Sequence, residues 1–339
     1  MDNIYTELLN NMITMSEIKI SLKFRNKDFY KWIIWSLILL LLAGCSSSDL
    51  DKDGNPKVFQ VTLFTSSEDN PQELVRGMEP MRLYLEKELT TPVRLIPVTG
   101  YSTVIEALKA KKIHMAQLSA YPYLLGRKRA NITALFCMGK NDGSLTDDYK
   151  SCIITRKSSG LKTLDDLKAN ISNLIIAFVD PASSSGYIVP HYYLVQNGID
   201  SEKNFKKVLF TGNHPAAIMT LTSGKVDVAC AELSTIVQIN KLFKNESPDN
   251  FNFIWISPPI PPVPYCIRND INPAFRKKVL EAFINMKKDT AAWGATKRNR
   301  VIRMLTTYPI DSLRYIPVKE NMFDEFEKMV KSIKNLNMK

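Results

Sequence analysis

The feature that most constrains the fold is a regular alternation of short apolar segments and amphipathic helical segments, which starts at Val58. Residues 58–64 and 93–97 are strand-like, whereas residues 71–89 carry an apolar stripe at helical spacing. A second helix over 102–111 then precedes a third short strand. This β-α-β-α-β order predicts a parallel sheet with helices on both faces.

A second unit with the same alternation runs from Tyr149 to Cys230. The chain then returns through a proline cluster over 258–264 to further helical segments. We therefore predict an α/β protein with two lobes, each a mostly parallel sheet flanked by helices, joined by two crossings. The predicted boundaries are residues 58–148 and 254–339 for lobe 1 and residues 149–253 for lobe 2.

The N-terminal region has the pattern of a signal peptide. Residues 32–44 form a 13-residue apolar run that follows a cationic stretch and is too short to span about 30 Å of hydrocarbon. The run ends in Leu42-Ala43-Gly44-Cys45, which resembles the bacterial lipobox, a motif whose cysteine is lipidated and becomes the mature N-terminus. We predict a signal peptide over 1–44, lipidation of Cys45 and a flexible tether over 45–57. A buried core helix with a chance cysteine is the alternative.

The net charge is the unusual part of the composition. The chain has 45 lysine and arginine residues against 34 aspartate and glutamate residues, which gives a formal net charge of +11. The predicted signal peptide carries only +1 of this charge, so +10 remains on the exported part. An exported lipoprotein meets no genome. Its export therefore predicts that it has no nucleic-acid partner. The positive charge then predicts contact with anionic lipid, cell-wall polymer or a small anionic solute.

A run of serines follows directly after a predicted strand. Ser183, Ser184 and Ser185 lie between the strand predicted over 174–179 and the helix predicted over 185–197. A helix N-terminus exposes unpaired N–H groups at the positive end of the helix dipole, and hydroxyls there donate further hydrogen bonds. An oxyanion fits this geometry. The residues alone equally allow one ordinary N-cap serine with two solvated neighbours.

Tyr101 and His214 take equivalent places in an internal repeat. A shift of 113 positions aligns residues 101–116 with residues 214–229 and pairs Tyr101 with His214, each at the start of a predicted helix. In doubly wound sheets, ligands bind outside the carboxyl ends of the strands, where such helix starts gather. We therefore expect both side chains to face a common cleft. A histidine there is able to donate to a phosphate-like oxygen, although by itself it is also compatible with a structural role.

Sequence motifs of catalysis are missing from the chain. It has no Gly-x-Gly pair, GxxxxGK loop, CxxC or HExxH pair, or GxSxG elbow, so nucleotide sites, zinc sites and serine hydrolysis lack support. We predict a binding protein that is not an enzyme and uses no cofactor or metal. An envelope enzyme with His214 as a general base is an alternative, for which the sequence supplies no nucleophile or metal set.

The lipobox and four further blocks resemble the phosphate/phosphite/phosphonate-binding proteins of ABC transporters. In chain order the blocks read TGYSTVIEALKAKKIHMAQLSAYPY, NDGSLTDDYKSCIITRKSSGLKTLDDL, IIAFVDPASSSGYIVPHYYLVQNGID and FTGNHPAAIMTLTSGKVDVA. The resemblance covers about residues 58–288. It implies a two-lobe periplasmic-binding-protein fold of type II, with the ligand cleft between the lobes.

The resemblance also implies a site and a mechanism. A small phosphorus oxyanion would bind lobe 2 first, and lobe 1 would then close over it and exclude water. The closed form would dock on an ABC permease that is driven by a separate ATPase, in the cell envelope, with the protein facing the periplasm or the cell exterior. An envelope sensor that presents its solute to a signalling partner is the alternative. The implied ligand-binding residues are Ser183, Ser184, Ser185 and His214 for the phosphonyl oxygens, and Tyr101, Tyr149 and Tyr121 as cleft residues.

The chain departs from the family pattern in ways that bear on the ligand. Residues 145–148 lengthen the segment before Tyr149 by about two residues, and Ser119-Ala120 replaces the family's Gly-Pro. Members that bind aminoalkyl phosphonates carry an acidic residue after the proline-rich crossing, where residues 261–264 have none. Glu232 is either a substitute for that acid or a solvated loop residue. We therefore expect a ligand without an amine: phosphate, phosphite or a small alkyl phosphonate.

Overall fold

The structure, a computed structural model, describes residues 48–64, 70–299, 303 and 306–333. The predicted signal peptide and the predicted lipidation site at Cys45 lie outside these residues. From Asp49 onwards the chain forms one compact unit, which is built around two β-sheets. Within the described residues, no helix has the length and apolar composition needed to cross a lipid bilayer.

The first sheet is built from six strands. In chain order these are β1 (Phe59–Phe64), β2 (Val93–Val98), β3 (Met115–Gln117), β4 (Ile132–Lys140), β10 (Tyr265–Arg268) and β11 (Leu313–Pro317). Their spatial order is β11-β4-β10-β3-β1-β2. β1 is parallel to β2 and β3, whereas β10 is antiparallel to β3 and β4, and β11 is antiparallel to β4.

The second sheet has five strands. In chain order these are β5 (Ser151–Arg156), β6 (Ile175–Phe178), β7 (Lys207–Phe210), β8 (Val228–Glu232) and β9 (Phe251–Ile256). Their spatial order is β7-β6-β8-β5-β9. β6 is parallel to β7 and β8, while β5 is antiparallel to β8 and β9. β9 belongs to this sheet up to Ile256, so the second crossing begins after that residue and not at the predicted boundary of 253/254.

Helices cover the faces of both sheets. In chain order the α-helices of the described residues are α1 (Pro71–Gly77), α2 (Glu79–Leu89), α3 (Tyr101–Lys109), α4 (Ala120–Arg129), α5 (Leu164–Asn170), α6 (Val189–Gln196), α7 (Ser201–Asn204), α8 (His214–Thr222), α9 (Leu233–Val237), α10 (Ile239–Leu242), α11 (Pro273–Asn285), α12 (Thr290–Arg298) and α13 (Asp324–Ser332). The single helix predicted over 71–89 is two helices that meet at Met78. Pro80, in the first turn of α2, has no N–H to donate to a continuing helix.

The predicted two-lobe α/β architecture is confirmed, but the sheets are mixed. The parallel strands follow the β-α-β order of the sequence, as right-handed crossovers require. The antiparallel pairings in both sheets involve the strands next to the two crossings, β4, β5, β9 and β10, together with β11. Relative to the other strands of their sheets, β10 and β11 run in the reverse direction in the first sheet, and β5 does so in the second.

Two apolar layers hold lobe 1 together. On one face of the first sheet, Phe136 stacks on Tyr265 and Phe283 with ring centroids 4.8 and 4.3 Å apart, beneath α2 and α11. The other face continues into the buried core of lobe 2 through Tyr121 and Tyr149. The lobes therefore share apolar contacts beside the crossings, and burial of apolar surface there favours their association.

The tether prediction is wrong for residues 49–57. Asp49 forms an ion pair with Arg268, whose side chain is only 2% exposed, and lies 3.1 Å from Nε2 of the buried His114. Leu50 bridges to Pro56, and the Asn272 N–H donates to the Gly54 carbonyl. The polar composition suggested a solvated linker, but a buried arginine needs carboxylate partners, and this segment supplies one.

Candidate functional site

The serine run leaves β6 as a tight loop and enters a π-helical turn, Ser184–Ile188, which continues into α6. The loop packs so closely on β6 that a Cβ atom on Gly186 would lie 2.4 Å from the Cβ of Val179. Only glycine fits there, which explains the Ser-Ser-Ser-Gly order. π-helical turns are rare and often occur at functional sites.

All three serines are buried, with exposed fractions of 1% or less. The Ser183 hydroxyl accepts a hydrogen bond from the Gly186 N–H over 3.0 Å and caps the turn. The Ser184 hydroxyl accepts from the Tyr121 N–H of lobe 1 over 2.8 Å. The Tyr149 hydroxyl donates to the Ser185 hydroxyl over 3.3 Å. The alternative of one N-cap with two solvated serines is therefore excluded, because all three lie at the contact between the lobes.

His214 is the first residue of α8, and its ring is oriented by the backbone. Its Nδ1 accepts a hydrogen bond from the Glu232 N–H over 3.0 Å. Burial lowers the pKa of His214 to about 4, so the ring is neutral at physiological pH. A neutral imidazole that accepts at Nδ1 carries its proton on Nε2. His214 therefore offers an N–H donor, as an oxyanion site requires.

Tyr101 and Tyr149 approach the serine run from lobe 1 and from the first crossing. Burial raises the pKa of both hydroxyls, and the Glu232 carboxyl raises both further. Tyr101 lies within hydrogen-bond reach of Ser183. The extra residues before Tyr149 therefore do not displace it from the cleft: its side chain is 5% exposed and contacts Ser185.

The predicted residue Tyr121 contributes through its backbone. Its N–H, in the first turn of α4, donates to Ser184. Ser119, the residue before α4, was noted in the sequence only as a departure from the family pattern. Its hydroxyl accepts from the Ser184 hydroxyl over 3.0 Å, so it is a site neighbour that the sequence did not assign.

Glu232 is buried in the cleft and is not a solvated loop residue. It is 2% exposed, and its Oε1 accepts a hydrogen bond from the Ser234 hydroxyl over 2.7 Å. Burial raises the pKa of Glu232 to about 8, and the nearby Asp148 contributes to this rise. Asp148 Oδ1 is itself buried and has no hydrogen-bond partner within the described part of the chain. A second acidic group, Asp148, therefore lies close enough to Glu232 to influence its ionisation.

Most of these residues lie at or beside the start of a helix or of the π-helical turn. α3 begins at Tyr101, α4 at Ala120, α8 at His214, and the π-helical turn at Ser184. Helix N-termini and neutral hydroxyls attract an anion without a cationic side chain. Among the described residues, no lysine or arginine shifts the pKa of Tyr101 or His214, and no cluster of three or more possible metal ligands occurs.

Comparison with known proteins identifies the family. Residues 64–308 match the model of the ABC transporter, phosphonate, periplasmic substrate-binding protein. The chain belongs to this family, whose members are the solute-binding components of ABC importers and not enzymes.

Relatives in this family differ in the ligands for which they are named. The phosphonates-binding periplasmic protein of Escherichia coli (strain K12) is 26% identical over 274 residues, which are 80% of this chain and 78% of the relative. The phosphate-import protein of Mycolicibacterium smegmatis is 25% identical over 65% of this chain and 70% of its own length. A probable phosphite-binding protein of Prochlorococcus marinus is 26% identical over 60% of this chain and 67% of its own length.

Solved structures confirm the predicted type II periplasmic-binding-protein fold. A binding protein of an ABC phosphonate transporter from Pseudomonas aeruginosa superposes with a TM-score of 0.67 at 20% identity, over 80% of this chain and 85% of the other. A Prochlorococcus marinus protein in complex with methylphosphonate gives a TM-score of 0.62 at 21% identity, over 82% and 98% of the two chains.

Proposed function

We propose that this protein captures a small phosphorus oxyanion for an ABC importer, with phosphate, phosphite and alkyl phosphonates as the candidate ligands. The observation that carries the proposal is the contact of the buried serine run with the start of α4 and with the hydroxyls of Tyr101 and Tyr149. His214 adds an Nε2–H donor at the start of α8. Charge-assisted hydrogen bonds are about twice as strong as neutral ones, so such a cleft binds an anion without a counter-ion. The names of the relatives support phosphorus ligands in particular.

The binding step we propose is lobe closure. Ser184 of lobe 2 bonds directly to Ser119 and Tyr121 of lobe 1, so the lobes meet at the serine run itself. An oxyanion that enters the open cleft replaces water there and receives donors from both lobes. Binding and closure are then one equilibrium, because the full donor set exists only when the lobes meet.

We also propose that the protein is an envelope lipoprotein, anchored by lipid on Cys45, and that its partner is a membrane permease. The lipobox pattern supports the anchor, and membership of the importer family supports the partner. Radiolabelled palmitate incorporation that disappears in Cys45→Ala would support the anchor, whereas equal labelling of both chains would contradict it.

A second class of ligand is favoured by the acidic groups in the cleft. Glu232 and Asp148 are close enough for the charge of Asp148 to raise the pKa of Glu232, and Asp148 Oδ1 has no partner among the described residues. An ammonium group on the ligand would satisfy this oxygen. This observation removes the main reason to expect a ligand without an amine, so an aminoalkyl phosphonate is the second candidate.

Isothermal titration calorimetry of the exported chain tests the proposal. The ligands are phosphate, phosphite, methylphosphonate and 2-aminoethylphosphonate, with sulfate as the control oxyanion. We expect saturable binding of at least one phosphorus ligand and weaker binding of sulfate. The triple variant Ser183→Ala, Ser184→Ala and Ser185→Ala should bind at least about 100-fold more weakly, because each hydrogen bond to a charged group is worth about 1.5–3 kcal/mol. No heat from any phosphorus ligand would contradict the proposal.

A further inference from the structure

The side chain of Ser119 does not cap the helix that follows it, α4. It lies two residues beyond β3, is 5% exposed and occupies the N-cap position of α4. Serine at an N-cap ordinarily accepts a hydrogen bond from an N–H of the first helical turn. The Ser119 hydroxyl makes no capping bond to α4. Its place at the start of the helix therefore does not explain its burial.

The first turn of α4 is capped from the other lobe instead. The Tyr121 N–H donates to the Ser184 hydroxyl oxygen over 2.8 Å, and the Ser184 hydroxyl donates to the Ser119 hydroxyl oxygen over 3.0 Å. Ser184 thus accepts the bond that an N-cap serine ordinarily accepts. Ser119 points away from its helix and toward the serine run of lobe 2.

Ser119 also reaches a second group of the site. Its hydroxyl lies within hydrogen-bond reach of the Tyr149 hydroxyl, which in turn donates to Ser185. The hydroxyls of Ser184, Ser119, Tyr149 and Ser185 therefore form a chain that joins both lobes and the first crossing. Since the Ser119 oxygen accepts the proton of Ser184, its own proton is directed to a different oxygen, which is that of Tyr149 in the absence of ligand. A hydroxyl proton is able to rotate, so an anion in the cleft would compete with Tyr149 for it.

We propose that Ser119 is a further ligand-binding residue, whose hydroxyl donates a hydrogen bond from lobe 1 to an oxygen of the bound phosphorus oxyanion. The inference rests on the proposed function and adds a donor to it. The resemblance to the family places a glycine at this position, which has no side-chain donor. Where hydroxyls and helix N-termini carry the recognition of the anion, one added donor has a measurable effect on affinity.

Calorimetric titration of Ser119→Ala and Ser119→Gly with phosphate and methylphosphonate tests the inference. We expect both variants to bind on the order of tenfold more weakly than the unchanged chain. Their ligand-free melting temperatures should fall somewhat, because the buried Ser184 hydroxyl loses its acceptor. Thr163→Ala is the matched control, since the exposed Thr163 does cap its helix, α5. This control should melt at a lower temperature and keep its affinity.

Small-angle scattering of the ligand-free variants separates ligand contact from lobe contact. Weaker binding with an unchanged radius of gyration supports the inference. Weaker binding together with a more open ligand-free form would mean that Ser119 only joins the lobes, and would overturn it. If the unchanged chain binds phosphorus ligands and Ser119→Ala binds them equally well, the inference about Ser119 is overturned and the proposed function still stands. Failure of the unchanged chain to bind any of them overturns the proposed function as well.

Discussion

At the scale of single residues, burial sets the protonation of the cleft. The backbone N–H of Glu232 fixes the tautomer of His214, and burial keeps its ring neutral with a pKa of about 4. Burial acts oppositely on Glu232, whose pKa rises to about 8. At neutral pH both groups are therefore mostly uncharged. An anion entering the cleft meets donors and little repulsion.

We predict that His214→Ala weakens binding of methylphosphonate by about tenfold to 100-fold, because one N–H donor to a charged oxygen is lost. The contribution of His214 should be constant between pH 5.5 and 7, since its pKa lies near 4 and the ring does not titrate in that range. Calorimetry of both chains at several pH values measures this contribution. A contribution that grows as pH falls from 7 to 5.5 would show a protonated ring and contradict the assignment.

We predict that Glu232 makes binding of amine-free ligands weaker as pH rises through about 8, where its carboxyl ionises beside the bound anion. Glu232→Gln cannot ionise, so it should lose this decline. The ligand's own ionisation affects both chains equally, and only the difference between their profiles is informative. Parallel profiles for methylphosphonate would contradict the prediction. With 2-aminoethylphosphonate, the ionised Glu232 carboxylate should instead attract the ammonium group. The unchanged chain should then bind this ligand more tightly than Glu232→Gln does.

At the scale of elements, the segment 49–57 behaves as part of lobe 1. Arg268 donates to Asp49 and Asp270 and also to the carbonyl of Lys111, so one buried side chain ties this segment to β10 and to the turn that follows α3. Burial opposes ionisation of both carboxyls, but Arg268 outweighs it and lowers both pKa values, that of Asp270 to about 2. The ion pairs of Arg268 therefore add to the backbone hydrogen bonds that hold the segment in place.

We predict that Asp49→Asn lowers the free energy of unfolding at pH 7 by about 1–2 kcal/mol, allowing for solvent screening of this partly exposed group. The lowered pKa of Asp49 means that its stabilisation is present above about pH 4 and is lost as pH falls below that value. The difference between the two chains should therefore shrink toward pH 2. Urea unfolding measures it, with Asp53→Asn as the exposed control. An equal loss in the control would contradict the prediction.

At the scale of the whole molecule, the C-terminal part of lobe 1 reaches across to lobe 2. Gln238, at the end of α9, donates to the carbonyls of Arg303 and Thr306. Asp148 on the first crossing accepts from the Thr306 hydroxyl and the Thr307 N–H. The lengthened segment before Tyr149 thus serves as an anchor for these contacts. They add to the bonds between the lobes at the serine run.

We predict that Gln238→Ala shifts the ligand-free protein toward a more open form and weakens ligand binding roughly fivefold, since each neutral hydrogen bond contributes about 1 kcal/mol. Small-angle scattering should show a larger radius of gyration, which saturating ligand restores. Gln72→Ala, at an exposed position in α1, is the control and should leave both measurements unchanged. An unchanged radius of gyration in Gln238→Ala would contradict a role in holding the lobes together.

The sequence predicted those parts of the fold and site that depend on local pattern. Alternating apolar segments are enough to identify the parallel strands, and helix-start signals locate the serine run, Tyr101 and His214. β4, β10 and β11 were not predicted as strands, because their pairing partners lie far away in the chain. Likewise, Ser119 and Asp148 matter through contacts with residues distant in sequence, which no local pattern records.

By itself, the sequence determined the fold class and the family and predicted a set of cleft residues, because periodicity, helix capping and motif order are local properties of the chain. The tertiary structure decided the rest. Burial of Glu232 raised its pKa, the partners of Arg268 made part of the predicted tether a fixed segment, and lobe contact brought Ser184 to Ser119. Each of these depends on desolvation and on pairing between distant residues, and those are properties of the folded chain alone.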